Sequence, residues 1–403
     1  MERAAKRMRG PEGPDLTGGS GFEPPENLKG KRKVALLVAY NGDGYSGLQK
    51  NPDVDTVEST LESAIHRAGG ISDDNYGTLQ KISWSRAGRT DKGVHALGQI
   101  ISLKMVLWPE PMLERVNAAL AGRNIRVLDY VRANNNFCAH TACSSREYEY
   151  LLPLSVLCPA EDPEPSAGGG SGVACAPTTS ESAAPLHADV EARLRALLKQ
   201  LEGSHSFHNF TDPKTEPTDK TARRYMIRLT TAKPVLLAGK PYVPLLFHGQ
   251  SFLLHQIRKM VALVCATFRG AVPDNAIAKA LAAERVAPIP MAPSCALILR
   301  KCLYASYERK RQAEFPERGS LHFPTFDAAK DAFLQEYILP HVAAREAEGE
   351  FSRFEAALAA YTLERKTPWA GPDRRVDADG APGGHAGTTA ARNGEAEGGA
   401  TQA

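Results

Sequence analysis

The feature that most constrains this chain is a repeated order of elements on either side of a break. Val34–Tyr40 is an apolar run of strand length, closed by the turn residues Asn41-Gly42-Asp43-Gly44. A helical stripe follows, with Val57, Leu61, Ala64, Ile65 and Ala68 at i, i+4, i+7, i+8 and i+11. Asp55 and Glu58 have the spacing of a capping box. Further strands are expected at Gln99–Val106, Ile125–Val131 and Arg146–Leu152, with a helix around Met112–Ala121. Residues 159–187 then turn rich in Pro, Gly, Ser and Ala, the composition of a flexible insertion. Beyond it the order resumes. Val190, Leu194, Leu197, Leu198 and Leu201 form a second stripe, and strands are expected at Arg224–Thr230, Val243–Phe247 and Ala296–Tyr304. Ser251–Phe268 reads as one long helix, with Leu253, Leu254, Ile257, Met260, Val261 and Val264 on one face and Ser251, His255, Arg258 and Ala262 on the other. A short helix is expected near Asp274–Glu284.

This order predicts an α+β fold of two related lobes. Residues 1–30 are expected to be a disordered N-terminus, 31–158 the N-terminal catalytic lobe, 159–187 the insertion and 188–311 the C-terminal lobe. Residues 312–365 suggest a helical extension, with helices near Phe326–Leu339 and Phe351–Leu363, and 366–403 a disordered tail.

Charge is distributed unevenly. Leu186–Arg311 holds 20 Lys and Arg against 9 Asp and Glu, whereas 312–403 holds 9 against 15. A segment at +11 beside one at −6 points to a polyanionic ligand such as nucleic acid, unless the basic segment is simply a solvated face. No apolar run reaches the roughly 20 residues that span a bilayer, so no membrane association is expected. The N-terminus lacks the apolar core of a secretory signal. Seven cysteines without a CxxC pair argue against a disulfide framework or zinc ribbon, and His205 and His208 alone do not make a metal site.

The densest group of reactive side chains is Ser85-Arg86-Ala87-Gly88-Arg89-Thr90-Asp91-Lys92-Gly93-Val94-His95-Ala96. The glycines allow close approach to a ligand. Arg89 and Lys92 can hold phosphates. A carboxylate among cations stays ionised and can serve as a nucleophile. Without more context, Asp91 could equally cap a turn, Tyr148 could be strand packing and Arg258 a surface residue. His95 and His255 could touch a nucleotide or merely hydrogen-bond.

Ala87–Ala96 resembles the signature of the TruA-type tRNA pseudouridine synthases. Further similarities lie at Tyr40-Asn41-Gly42, Gly44–Gln49, Thr56-Val57-Glu58, Arg146-Glu147-Tyr148-Glu149-Tyr150, Gly203–Phe210 and Gly249–Met260, and together they cover roughly residues 31–310. Gly47–Pro52 and the helices after residue 323 are most similar to the eukaryotic branch, which includes nuclear and mitochondrial enzymes.

The resemblance implies isomerisation of uridine to pseudouridine in tRNA, in or near the anticodon stem-loop, with other RNAs as further substrates. It implies Asp91 as the catalytic aspartate, Tyr148 stacking on the target base, Arg258 pairing with Asp91, and Arg89 holding the nucleotide out of its stack. Lys92 and His95 join Arg89 and Tyr148 as expected substrate contacts. It also implies sheets joined around a central basic cleft. The reaction exchanges one glycosidic bond for another, so no cofactor and no metal are expected. A monomer or homodimer is expected, in the nucleus or otherwise in cytoplasm or mitochondrion; the basic cluster Lys29, Lys31, Arg32 and Lys33 is a candidate import signal. The rival readings are an RNA-binding or folding module without catalysis, and a nucleoside glycosidase that would release free uracil.

Overall fold

β-Branched and leucine-rich strands supply the frame. The computed structural model describes residues 30–108, 111–158, 185–282, 284–314, 321, 323 and 326–364. The expected disordered ends and nearly all of the 159–187 insertion lie outside these residues. Among the described residues, no helix is long and apolar enough to cross a membrane.

The first part contains β1 (Arg32–Tyr40), α1 (Val57–Arg67), β2 (Ser85–Arg86), β3 (His95–Met105), α2 (Met112–Ala119), β4 (Ile125–Arg132), β5 (Ser145–Pro153) and the short α3 (Leu154–Leu157). After the insertion come α4 (Ala188–Lys199), β6 (Gly203–Ser206), β7 (Arg223–Thr231), β8 (Val235–Leu237), β9 (Lys240–Gly249), α5 (Gln256–Phe268), α6 (Ala276–Leu281) and β10 (Leu297–Leu303). The helices α7 (Ala305–Glu314), α8 (Asp327–Phe333), α9 (Leu339–Ala347) and α10 (Glu350–Ala359) follow, with a π-helical turn at Leu334–Ile338 joining α8 to α9.

All strands belong to one ten-stranded sheet of order β4-β1-β3-β10-β5-β9-β7-β6, with β2 on β3 and β8 on β9. The pairings are antiparallel except β3–β10, where Ile298 and Leu299 lie parallel to His95 and Ala96. The last strand thus inserts between β3 and β5, both from the first part of the chain. Backbone hydrogen bonding, with each group's partner supplied across the junction, welds the two sets of strands into the expected joined sheet.

Two local expectations are corrected. The cap of α1 is Thr56, whose Oγ1 accepts from Ser59 N at 3.1 Å while Ser59 Oγ accepts from Thr56 N at 3.0 Å. Glu58 cannot close the box because it is buried and occupied elsewhere. The second correction is α5, which begins at Gln256 rather than Ser251. It is buried almost all round, including Ala262, so it is a core helix and not a two-faced one. Residues 251–255 are a loop and turn, and Leu254 is exposed rather than core.

Candidate active site

The loop carrying Asp91 is fixed mainly through its backbone. Ala87 N donates to Ile100 O (2.8 Å), and Gly88 O accepts from Gln99 Nε2 (2.9 Å). Thr90 O accepts from Leu48 N (3.2 Å), Thr90 Oγ1 shares a 2.7 Å hydrogen bond with Tyr40 OH, and Asp91 O accepts from Val94 N (3.1 Å). Two glycines permit this crowding. Gly93 turns at φ 76°, and a Cβ on Gly42 would lie 2.2 Å from Val94 O.

Arg146 ties this loop to the second half of the site. From β5, its Nε and Nη2 donate to Ala87 O (3.2 and 2.6 Å), and its Nη1 donates to Gln250 O (2.5 Å). It is buried, and its donors are spent on carbonyls of two different loops. Behind it, Glu58 Oε1 accepts from Arg86 Nε (2.5 Å) and Trp84 Nε1 (2.7 Å), and Oε2 accepts from Lys50 N (2.9 Å). Glu62 Oε2, one turn on, accepts from Lys50 Nζ at 2.5 Å. These carboxylates brace the Gly47–Pro52 loop, which packs on the Asp91 loop through Gly47 and Leu48. Neither role was expected from the sequence. A hint was available: two Glu one turn apart beside the apolar stripe of α1 are out of place on a buried face unless paired.

Asp91 is partly exposed, and His255 faces it, with Nε2 3.8 Å from Oδ2. Burial holds the His255 ring below its ordinary pKa, with Asp91 pulling the other way and Arg258 and Lys259 adding to the depression. The ring is therefore largely neutral near pH 7 and does not clamp the carboxylate. Tyr148 lies on β5 two residues from Arg146. It is buried, edge-to-face on Phe252 with centroids 5.2 Å apart and planes at 80°, and a Cβ built on Gly88 would sit 3.9 Å from its hydroxyl. Burial pushes its phenol far above the ordinary range, and Asp91 adds to the shift. Tyr148 is thus a neutral hydroxyl and an apolar ring within the field of Asp91.

Two expected contacts are not seen. Among the described residues, the basic side chain found against the Asp91 carboxylate is His255 and not Arg258. Arg258 sits in the first turn of α5, where its Nε donates to Ala292 O at 2.6 Å. The turn before α5 brings His255 to the carboxylate, and the charge of Arg258 is felt at that ring. His95, expected at the substrate, is fully buried in β3. Its Nδ1 accepts from Gly42 N (3.1 Å) and its Nε2 bonds Cys295 O (2.8 Å). Burial, with the nearby His341, lowers its pKa to about 3, so it is a neutral brace with no nitrogen left for a nucleotide. Arg89 and Lys92 are exposed on either side of Asp91, as phosphate contacts require. His205 and His208 each bond a backbone carbonyl, Glu202 O and Glu284 O.

The C-terminal helices reach the same region. Tyr337 O accepts from Asn41 Nδ2 (2.7 Å), His341 lies 3.8 Å from Asp43 and edge-on to His95, and Glu346 accepts from Tyr242 OH (2.6 Å). They brace the 41–44 turn that Gly42 packs under Val94.

A carboxylate on a glycine-flanked loop, a buried aromatic beside it, exposed cations around it and a sheet joined through its two parts form a site suited to holding a displaced base near a nucleophile. Comparison with known proteins gives the chain's family. The profile of the tRNA pseudouridine synthase family matches residues 197–305. The chain is 34% identical over 382 residues to tRNA pseudouridine synthase 1 of Yarrowia lipolytica, covering 78% of this chain and 72% of that one. It is 33% identical over 353 residues to the Pseudouridylate synthase 1 homolog of Mus musculus, covering 86% and 75%, and 33% identical to tRNA pseudouridine synthase 1 of Saccharomyces cerevisiae, covering 74% and 66%. Matches of this length span both parts of the joined sheet, and with the TruA-type motifs in order around Asp91 they place the chain in the tRNA pseudouridine synthase family.

Proposed function

We propose that this protein isomerises uridine to pseudouridine in tRNA, with Asp91 as the catalytic carboxylate. The observation that carries the reading is the carboxylate itself: partly exposed, held by backbone contacts, flanked by Arg89 and Lys92 and, among the described residues, not clamped by an arginine. The reaction breaks the N1–C1′ bond, turns the base and forms the C5–C1′ bond. C5 gives up a proton and N1 gains one, so no electrons are exchanged. Asp91 offers the nucleophile that holds the intermediate covalently. Tyr148, neutral and buried, offers a ring for the turned-out base to pack on. Arg89 and Lys92 offer charge to the neighbouring phosphates. Arg258 contributes through His255, whose ring its charge helps to hold neutral.

Product analysis separates this reading from its rivals. Tritium at C5 of uridine in a tRNA transcript should be released to water while the base stays in the chain. Free uracil would identify a glycosidase, and bound RNA with no tritium release would identify a binding module. We further propose the anticodon stem-loop as the target region, other RNAs as additional substrates, and a monomer as the working form, with a homodimer as the alternative that sedimentation distinguishes. A nuclear location is proposed, with cytoplasm or mitochondrion as alternatives for a tagged protein to decide. Lys33 is not available to an import signal, because it is buried in β1 with Nζ donating to Ser83 O at 2.8 Å.

A further inference from the structure

Arg224, the second residue of β7, is held in a way that leaves part of its guanidinium unused. Its Nη1 donates to two carbonyls of its own stretch of chain, Thr221 O (2.5 Å) and Arg223 O (2.8 Å). Its Nε is buried and, among the described residues, has no hydrogen-bond partner. A buried donor without an acceptor costs about 1–3 kcal/mol and calls for an explanation. The charge is poorly met as well. Arg146 repels it, and the carboxylate that opposes this repulsion, Asp219, already accepts from Thr221 N at 2.7 Å. Burial and Arg146 together hold the guanidinium below its ordinary pKa, although an arginine stays protonated in a protein.

Strand geometry puts Arg224 on the face of the active site. Arg146 on β5 lies opposite Gly249 on β9, and Gly249 lies opposite Met226 on β7. Residues opposite each other in an antiparallel ladder share a face, as do residues two apart on one strand. Arg224, two residues before Met226, therefore shares the face of Arg146 and Tyr148, and β7 lies two strand spacings, roughly 10 Å, from β5. The connection is short. Gln250 N donates to Tyr225 O (3.1 Å), and Gln250 O accepts from Arg146, which also holds Ala87 O at the Asp91 loop. Lys220 and Arg223, on the same stretch, are exposed, and His205 stands opposite Arg224 on β6. The resting contacts of Arg224 are thus weaker than those an anion offers. Turning its Nε–Nη2 edge to an anion satisfies the orphan donor and offsets the Arg146 charge, and that edge matches two oxygens of a phosphate.

Resting on the tRNA reading above, we propose that Arg224 leaves its resting contacts and grips, through Nε and Nη2, a backbone phosphate of the bound tRNA close to the target uridine. The grip fixes where the RNA lies on the sheet face and carries no base information, so it acts on affinity and not on the choice of sequence. Arg224 is a substrate-binding residue, remote from the bonds that break and form.

The test is the salt dependence of tRNA binding by wild type, Arg224→Gln and Arg224→Lys, measured between about 50 and 200 mM salt. Losing one phosphate contact should lower the slope of log affinity against log salt by about 0.7–0.9 in Arg224→Gln, with binding weaker by about fivefold or more at the low end. Arg224→Lys keeps the charge but not the fork, so its slope should match wild type while its affinity falls by about threefold. Single-turnover pseudouridine formation at saturating tRNA should stay within about twofold for both variants, the change appearing in the half-saturating concentration. Since the resting side chain carries an unsatisfied donor and faces Arg146, Arg224→Gln should melt no lower than wild type. A methylphosphonate scan of the phosphates around the anticodon stem-loop uridines locates the contact: one neutralised position should weaken wild type and leave Arg224→Gln unchanged. An unchanged slope in Arg224→Gln, no position that separates the two proteins, or a clear fall in melting temperature overturns the grip and assigns Arg224 to the fold. A slope and a methylphosphonate effect that follow Arg224, in a protein that makes no pseudouridine, would sink the proposed reaction and keep the grip.

Discussion

Asp91 is oriented by its backbone, and the residues that hold that backbone carry the residue-scale predictions. Arg146 serves two loops with three donors, a geometry a lysine cannot reproduce from one ammonium. Arg146→Lys should cost about 2 kcal/mol in urea unfolding, from a buried carbonyl left without its donor. Turnover should fall at least tenfold as Ala87–Asp91 loosens, about 1.4 kcal/mol of barrier or more. Unchanged turnover with reduced stability would confine Arg146 to folding. What was legible at this scale was the candidate loop, not the contacts that hold it. Arg89, Asp91 and Lys92 stand in one short motif and Tyr148 in another, and the fold brings Tyr148 within the field of Asp91. Arg146 and Glu58 lie in the quoted motifs too, but their partners are carbonyls and side chains far along the chain, which residue type alone does not reveal. The partners of Arg258 and His95 were hidden for a related reason: sequence gives the presence of a cation or imidazole, and only the fold decides which carbonyl or amide it bonds.

At the scale of elements, periodicity located α1, α2 and α4 because each buries one face, whereas β1 and β3, buried on both faces, showed as continuous apolar runs. It failed at α5. A helix buried all round has no polar stripe to mark its start, so the apolar residues of the preceding turn joined its pattern. The left-handed His255 that ends that turn has no sequence signature as clear as a glycine's. The Thr56 cap was missed because Ser59 stands in for the usual Glu of a capping box. Thr56→Ala should therefore cost about 1 kcal/mol of stability, read by chemical unfolding. Asp55→Ala, aimed at the residue expected to cap, should cost well under half as much. Gly42→Ala is a harsher case. Its Cβ would meet Val94 O at 2.2 Å, so the turn or the Asp91 loop must shift. A loss of about 2 kcal/mol or more is expected, with reduced activity even in folded protein.

At the scale of the whole molecule, the insertion of β10 between β3 and β5 was not foreseeable, since pairing between distant strands leaves no local trace. That junction places His95 beside Cys295 and under the C-terminal helices, and it predicts how stability depends on pH. The ring's folded pKa of about 3 lies below its unfolded value of about 6.5. The unfolded chain thus binds the proton more readily. Stability is fully present above about pH 6.5 and is lost as pH falls toward 3, with about 2 kcal/mol from this ring gone by pH 5. His95→Gln should be less stable at pH 7 and lose less between pH 7 and 5, measured by urea unfolding at both. Truncation before residue 326 should also destabilise the 41–44 turn, which would lose the Tyr337 and His341 contacts.

The most direct measurement is pseudouridine content in unmodified tRNA transcripts incubated with wild-type protein and with Asp91→Ala. Wild type should form pseudouridine at discrete uridines, and the variant should form none while binding the RNA with affinity within about twofold of wild type, because phosphate contacts dominate binding. Pseudouridine made by Asp91→Ala at the wild-type rate would contradict the account at its centre.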